Sequence, residues 1–216
     1  MKNLIGLRTP AEGRVELRGV NLAEADEPAK NEVLGRSGML FQAGALLNSL
    51  TTLENVALPL KERTNLPHDV IEEMGRMKLA LVDMSHAVDL YPPELSGGMK
   101  KRAALARALA VDPDVLFCDE PSAGLDPITA AALDDTLLSL RDRFGMSVVV
   151  VTHELASIET IADKVTMIHK GVVLADGPFD EVKRSDHPRV RAFFQREDDQ
   201  EATAGIRSVF DRWGTP

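Results

Sequence analysis

Two short apolar runs joined by a helical stretch constrain the fold of this chain more than any other feature. The runs cover residues 115–118 and 147–151, and the second is an almost continuous series of valines. Such a series is typical of a strand that is covered on both faces of a parallel sheet. Between the runs, Asp126 and Pro127 suit the N-cap and the first position of a helix. Strand alternating with helix predicts a parallel α/β sheet.

The N-terminal part of the chain carries weaker patterns. Residues 1–7 are typical of the end of a helix that stops near Gly6. Residues 13–19 alternate like a half-buried strand bounded by glycines. Residues 38–42 form a short apolar strand that ends in the polar side chain of Gln42.

The middle of the chain predicts a helical insertion over residues 46–95, because helical periodicity is present there and no strand signal occurs. We expect Pro59 and Pro67 to interrupt its helices. A further helix is expected from Ser96 to about residue 110.

After the second apolar run, the sequence predicts a helix from about Glu154 and strands at residues 165–168 and 172–174. Residues 196–216 begin with a run of acidic side chains and are predicted to form a solvated tail, with Trp213 as its one strong anchor. The whole chain, residues 1–216, is expected to form a single domain around the parallel sheet.

Composition narrows the class of protein. The chain carries 34 acidic and 25 basic residues, a net charge of −9, so a nucleic-acid backbone is a poor partner. No apolar stretch approaches the roughly 20 residues that span a bilayer, and no signal peptide is recognisable. We therefore expect a cytoplasmic protein that reaches a membrane only through a partner. The single cysteine, Cys118, lies within an apolar run and is expected to be a core side chain.

Polar side chains follow three of the predicted strands. Gln42 ends one strand, Asp119 and Glu120 follow the next, and His153 follows the valine run. In open parallel sheets ligands bind at the carboxyl ends of strands, so these side chains are expected to meet. Asp119 suits Mg²⁺, and Glu120 could polarise a water molecule for phosphoryl transfer. Each residue alone has a structural alternative, such as a helix cap or a core histidine, but the set favours a catalytic edge.

Ser96, Gly97 and Gly98 form a turn that leads into a helix. The glycines allow close backbone approach to an anion, and the helix N-terminus carries partial positive charge. The basic residues at 100–102 are expected to add charge nearby. An isolated Ser-Gly-Gly is more often only a turn, but this one lies 23 residues before Asp119, across a helix and a loop, which favours a phosphate site.

These segments resemble the ATPase subunits of ATP-binding cassette (ABC) transporters, and the resemblance covers nearly the whole chain. Gln42 resembles the Q-loop glutamine, residues 95–99 the LSGGQ motif with Met99 at its last position, residues 115–120 the Walker B strand, residues 122–126 the D-loop, and His153 the switch histidine. The resemblance implies a RecA-like P-loop NTPase core with a parallel sheet and an inserted α-helical subdomain, which works as a homodimer.

The resemblance also implies roles for individual residues. Glu120 is the catalytic base and His153 senses the γ-phosphate of ATP. Gln42 and Asp119 serve Mg²⁺ and the attacking water, and the turn of one subunit covers ATP held by the other. The residues implied to contact the nucleotide are Gln42, Ser96, Gly97, Gly98, Asp119 and Asp126.

A narrower resemblance concerns lipid transport. Residues 39–46, 94–99, 126–129 and 187–193 are similar to the ATPases of the Mla and Mce lipid transport systems. This implies transport of phospholipids or other lipids between membranes, driven by an ATPase that lies at the cytoplasmic side of the inner membrane. The implied partners are an integral membrane permease, which would dock near residues 42–60, and a lipid-binding periplasmic or membrane-anchored protein.

One expected element is missing from the sequence. No Gly-x-x-x-x-Gly-Lys-[Ser/Thr] occurs, although the amides and lysine of this loop hold the phosphates of bound nucleotides. Residues 1–7 resemble the end of the helix that follows this Walker A loop, and residues 12–15 resemble the next strand. We therefore expect the natural protein to extend upstream of Met1, and the chain alone to bind ATP negligibly.

Two other classes of protein remain open. The first is a degenerate, non-hydrolysing ABC module that offers its Ser-Gly-Gly turn to the nucleotide of a partner. The presence of Glu120 and His153 argues against this class, because an inactive site needs neither residue. The second is a non-transport ABC protein that acts on nucleic acid or ribosomes, which the net negative charge disfavours.

Overall fold

A computed structural model describes residues 1–195 of the chain. The chain divides into two compact units, Met1–Ser157 and Ile158–Pro216. The predicted acidic tail over residues 196–216, with Trp213, lies outside the described residues. No helix within residues 1–195 is long and apolar enough to cross a membrane.

The first seven residues form turns that end as the sequence predicts. The amide of Leu7 donates to the carbonyl of Lys2 at 3.0 Å, and that of Gly6 to Asn3 at 3.2 Å. Gly6 has a φ of +70°, and this combination is the Schellman pattern that closes a helical turn. The predicted stop at Gly6 is therefore found, but it closes a run of turns rather than a helix.

The strand predicted over residues 13–19 is wrong in its length. The structure has two short antiparallel strands, β1 (Glu16–Leu17) and β2 (Val20–Asn21). Between them Arg18 and Gly19 both have positive φ, as a two-residue hairpin turn that matches the twist of its strands requires. The helix α1 (Glu27–Gly35) follows.

Three parallel strands form the sheet of the first unit: β3 (Ser37–Leu40), β4 (Val115–Asp119) and β5 (Ser147–Val151). Their order is β3–β4–β5, so β4 is central, and the parallel sheet predicted from the apolar runs is confirmed. The β5 strand is less covered than its valines predict. Both of its ends are exposed and its middle is half-buried. The strand lies at the edge of this three-stranded sheet and pairs with β4 on one side.

The first unit also contains four helices of twelve or more residues. They are α2 (Thr52–Arg63), α3 (His68–Ala80), α4 (Gly97–Ala108) and α5 (Pro127–Phe144), with 3₁₀ turns at Ser85–Ala87 and Pro92–Glu94. Pro67 precedes α3 as predicted, but the predicted interruption at Pro59 is wrong, because this proline lies inside α2. Burial of Leu53, Val56 and Leu60 on the core outweighs a local cost of about 3 kcal/mol for a proline within a helix.

The core of the first unit lies between the parallel sheet and helices α2 to α5. Its largest members are fully buried, and the smaller side chain of Cys118 is fully buried as well, as expected. The buried leucines at its centre are Leu40, Leu79, Leu105, Leu116, Leu133 and Leu137.

The helix α6 (Leu155–Ile161) spans the boundary between the two units. The second unit contains β6 (Lys164–His169) and β7 (Val172–Pro178), followed by α7 (Phe179–Lys183) and α8 (Pro188–Gln195). Both strands were predicted, but they pair antiparallel with each other rather than in a parallel sheet. Lys170 and Gly171 form their turn with positive φ at both residues, as at Arg18 and Gly19.

Candidate nucleotide site

The parallel sheet brings the predicted polar residues to one edge. Leu40 lies opposite Cys118 in the register of β3 and β4, and Asp119 lies opposite Val151 in that of β4 and β5. Gln42, Glu120 and His153 follow these positions by one or two residues, at the carboxyl ends of the three strands. This is the edge at which open parallel sheets bind their ligands.

Glu120 is held in an uncommon conformation at the end of β4. Its φ is +48°, a left-handed value that is rare for residues other than glycine. Its amide donates to the carbonyl of Val151 at 2.8 Å, which ties the residue to β5. The side chain is 17% exposed, so its carboxylate is partly shielded from solvent.

Both carboxylate oxygens of Glu120 have hydrogen-bond partners from the segment after β5. Nδ1 of His153 lies 2.8 Å from Oε1, and the hydroxyl of Thr152 donates to Oε2 at 3.2 Å. The structure therefore brings Glu120 and His153 into direct contact. The sequence interpretation attached no role to Thr152, and the structure corrects this by placing its hydroxyl on the same carboxylate.

The imidazole of His153 is mostly exposed, with 73% of its side chain accessible. Its hydrogen bond to Glu120 raises its pKa above the ordinary value, and the negative charge of Glu120 adds to the effect. The charged imidazolium therefore persists to a higher pH than in a free histidine. The ring lies at the surface of the edge, where it can reach both Glu120 and a bound anion.

Asp119 is half-buried at the carboxyl end of β4, and Gln42 is exposed beyond β3. Residues 1–195 contain no cluster of three or more His, Cys, Asp and Glu side chains that could hold a metal ion without help. Mg²⁺ commonly uses one or two carboxylates together with substrate phosphates and water. Binding of a magnesium nucleotide by Asp119 and Gln42 stays a prediction from the resemblance.

The turn at Ser96 begins α4 as predicted. Ser96 is the N-cap, and its hydroxyl accepts a hydrogen bond from the amide of Met99 at 3.2 Å. Gly97 and Gly98 occupy the first helical positions, whose amides have no acceptor within a helix and can bind an anion. A side chain on Gly98 would lie 2.7 Å from the methyl group of Thr129, so the glycine also allows α4 to approach α5 closely.

Asp126 caps α5, as the sequence predicts. Its carboxylate accepts hydrogen bonds from the amides of Ile128 and Thr129 at 3.1 and 3.0 Å, and from the hydroxyl of Thr129 at 2.6 Å. These bonds lower the pKa of Asp126, with the side chain of Thr129 as the largest cause. A contact between Asp126 and nucleotide stays a prediction from the resemblance.

The basic residues at 100–102 do not all face the turn as expected. The ammonium group of Lys101 is buried and donates to the backbone carbonyls of Gln42 and Glu120. Arg102 donates to the carbonyl of Val82 at 3.2 Å. The sequence did carry a signal for Lys101, because it lies four residues before the buried Leu105 on the same helix.

Arg107 is a further residue that the sequence interpretation missed. Its guanidinium donates to the carbonyls of Gly44 and Ala45, at 2.8 and 2.6 Å. Burial lowers the pKa of this guanidinium from its ordinary value. Two cations of helix α4 therefore hold this part of the backbone. Arg107 bonds the carbonyls of Gly44 and Ala45, and Lys101 bonds that of Gln42.

The geometry can support the attack of water on a phosphate. It supplies a shielded carboxylate with two hydrogen-bond donors, an exposed imidazole beside it, a second carboxylate at the same strand end and a separate anion-binding turn. The sequence supplies no Gly-x-x-x-x-Gly-Lys-[Ser/Thr] loop, whose amides and lysine would hold nucleotide phosphates.

Comparison with known proteins gives a consistent result. The sequence profile described as "ABC transporter" matches residues 1–123. The chain is 37% identical over 199 residues to the intermembrane phospholipid transport system ATP-binding protein MlaF of Haemophilus influenzae, covering 92% of this chain and 75% of that protein. It is 36% identical over 193 residues to the probable ribonucleotide transport ATP-binding protein mkl of Mycobacterium tuberculosis, covering 89% of this chain and 54% of that protein.

A solved structure shares the fold. It is the dimeric, post-hydrolysis ATP-binding cassette MJ0796 bound to ADP and phosphate. The TM-score is 0.75 and the sequence identity 27%, and the match covers 82% of this chain and 78% of that chain.

Proposed function

This chain belongs to the ABC transporter family, and from that premise we propose that it is the ATP-hydrolysing subunit of a lipid transporter. The observation that carries the proposal is the contact of Glu120 with His153 and Thr152 at the carboxyl edge of the parallel sheet. A carboxylate held by two donors and partly shielded from water suits a general base.

In the proposed reaction, a water molecule lies beside Glu120 and its oxygen attacks the γ-phosphorus of ATP. One proton of the water moves to Glu120 as the bond between the γ-phosphorus and the bridging oxygen breaks, and ADP leaves with that electron pair. His153 holds the carboxylate through Nδ1, and its exposed ring can donate to an oxygen of the γ-phosphate. When bound, Mg²⁺ would be held by Asp119 and Gln42 and would offset the phosphate charge.

We place the turn of Ser96, Gly97 and Gly98 on the ATP of a partner subunit. The turn provides helix N-terminal amides for a phosphate, and a neighbouring structure of this fold is dimeric and holds ADP and phosphate. In such a dimer each nucleotide lies between the catalytic edge of one subunit and the turn of the other.

Lipid as the transported substrate is supported by the MlaF relative, which is named for intermembrane phospholipid transport. We propose an integral membrane permease and a lipid-binding periplasmic or membrane-anchored protein as partners. This chain would then act at the cytoplasmic face of the inner membrane. The mkl relative is named for ribonucleotide transport, so identification of the permease tests the substrate directly.

One observation favours a second candidate function, that of a non-hydrolysing module. The sequence has no Gly-x-x-x-x-Gly-Lys-[Ser/Thr], whereas the turn at residues 96–98 is complete. Such a module would bind no ATP tightly itself but would complete the site of a partner. The two candidates differ in whether Glu120 of this chain is needed for hydrolysis.

The test starts by tagging the protein at its chromosomal gene and purifying it with its co-purifying membrane proteins from the source cells. We expect a permease among them and phosphate release from ATP that rises when phospholipid is present. Glu120→Gln should lower the rate about 10²- to 10⁴-fold, because it removes the base. Glu154→Gln is the matched control, since this exposed carboxylate lies near His153 but does not contact Glu120.

Equal hydrolysis by wild type and Glu120→Gln would contradict the first candidate. If Ser96→Arg also abolished that hydrolysis, the result would favour the non-hydrolysing module, because only the turn would then contribute. Phosphate release that requires phospholipid would favour lipid over ribonucleotide as the substrate.

A further inference from the structure

Helix α4 carries a buried lysine behind the candidate site. Lys101 is 7% exposed, and its ammonium group lies 2.5 Å from the carbonyl oxygen of Gln42 and 2.9 Å from that of Glu120. These carbonyls belong to two segments that follow different strands, β3 and β4. A single cation therefore joins the backbone of both segments.

We propose that Lys101 is a positioning residue. It fixes Glu120 relative to residues 41–45, here called the Gln42 segment, for catalysis. The inference rests on the proposed function for its consequence in ATP hydrolysis. Its structural part, that one ammonium group holds both segments, can be tested without turnover.

The two segments have backbone conformations that need support. Glu120 has a φ of +48°, and beyond Gln42 the residues Gly44 and Ala45 have φ values of +74° and +51°. Residues other than glycine seldom adopt such angles unless surrounding contacts hold them. Hydrogen bonds from a charged donor are among the strongest contacts that a protein can supply to a carbonyl.

The charge of Lys101 is not used in a contact ion pair within residues 1–195. Both of its bonded acceptors are backbone carbonyls, and the negative charge of Glu120 favours its charged form. Burial lowers the pKa of Lys101, because loss of solvent disfavours the charged form of its ammonium group. A buried cation without a bonded carboxylate is costly, which indicates that its position matters.

The helix that carries Lys101 also begins with the anion-binding turn. Ser96 caps α4 only five residues earlier, and Arg107 of the same helix donates to Gly44 and Ala45. A displacement of α4 by a nucleotide at its N-terminus would therefore reach Glu120 and the Gln42 segment through Lys101.

The chain contains a matched control for this proposal. Lys78 is the other buried lysine among the described residues, 8% exposed, but its ammonium group pairs with the carboxylate of Asp112. It lies in α3 and contacts neither segment of the candidate site. Lys78→Met removes a buried cation of the same kind without touching the catalytic edge.

The experiment compares Lys101→Met, Lys101→Arg and Lys78→Met with wild type, in the full chain. Amide hydrogen exchange is followed by mass spectrometry in peptides that cover residues 41–45 and 119–123. We expect Lys101→Met to speed exchange in these peptides about tenfold or more relative to the rest of the chain, because a charge-assisted hydrogen bond is lost. Lys101→Arg should restore much of the protection, and Lys78→Met should leave these peptides unchanged.

A uniform rise in exchange throughout the chain, with equal effects of Lys101→Met and Lys78→Met, would show a merely stabilising role and overturn the proposal. Should Lys101→Met fail to fold, amide exchange in the same two peptides is compared between Lys101→Gln and Lys101→Arg. Faster exchange in Lys101→Gln supports the proposal, and equal exchange overturns it. In the purified complex, Lys101→Met should lower kcat about tenfold with little change in KM. Wild-type complex without ATPase activity would contradict the proposed function, while the exchange result would still decide the role of Lys101.

Discussion

The hydrogen bond between His153 and Glu120 gives the candidate site a property that can be measured at the level of a single residue. The bond raises the pKa of His153, and the carboxylate of Glu154 adds a smaller effect. Because the pKa is raised in the folded state, the charged form contributes stability fully below the pKa of an unfolded histidine. That contribution is lost as the pH rises through the higher, folded-state value.

We therefore predict that the ring protons of His153 titrate with a midpoint above that of an ordinary histidine in NMR spectra. Glu120→Gln should move the midpoint down towards the ordinary value, since the largest cause of the shift is removed. Glu154→Gln should move it less. A midpoint that is the same in wild type and Glu120→Gln would show that the hydrogen bond is absent in solution.

Residue-level reasoning from the sequence identified the polar groups of the edge but not how they are held. Gln42, Glu120 and His153 could be found because each follows an apolar strand. Thr152 could not, because a threonine before a histidine has no distinctive pattern. Lys101 was passed over because a charged residue on a helix is expected to be solvated, although its spacing from Leu105 places it on the buried face of α4. Their roles depend on contacts between segments far apart in the chain.

At the level of elements, β3 and α4 pack unusually closely. A Cβ on Gly38 would lie 2.4 Å from the carbonyl oxygen of Ala108, a backbone atom that cannot turn aside. The glycine thus allows the strand that leads to Gln42 to lie directly on the helix that carries Lys101.

Gly38→Ala should therefore destabilise the protein by about 1–3 kcal/mol, as for other overpacked interior positions. Urea unfolding followed by circular dichroism measures the difference. The control is Gly35→Ala at the end of α1, where an added methyl would meet only the flexible side chain of Arg63 at 3.8 Å. Equal stability of the two variants would indicate that β3 and α4 are further apart than the structure has them.

The elements that could be predicted are those that depend on local sequence patterns. The valine run gave β5, and Asp126 with Pro127 gave the start of α5, because apolar periodicity and capping are local properties. The hairpins at Gly19 and Gly171 were missed as hairpins, since Arg and Lys seldom precede glycine in such turns. Pro59 was misjudged because burial, which is not local, outweighs its helix-breaking effect.

For the molecule as a whole, the fold and the family could be predicted, while nucleotide affinity depends on groups that the sequence lacks. The amides and lysine of a Gly-x-x-x-x-Gly-Lys-[Ser/Thr] loop supply most contacts to the β- and γ-phosphates, and no such sequence occurs here.

We predict that the isolated chain binds ATP only weakly, with a Kd of about 1 mM or higher, which corresponds to at most about 4 kcal/mol of binding free energy. Isothermal titration calorimetry with magnesium ATP measures this, and a complete ABC ATPase that contains the loop serves as the positive control. Binding in the micromolar range would mean that this chain holds phosphates with other groups.

The attachment of the Gln42 segment to α4 uses carbonyl oxygens, which every amino acid possesses. Lys101 and Arg107 therefore bind the backbone of residues 42–45 whatever side chains these residues carry. Substitutions of the side chains at residues 41–45 should leave this attachment in place.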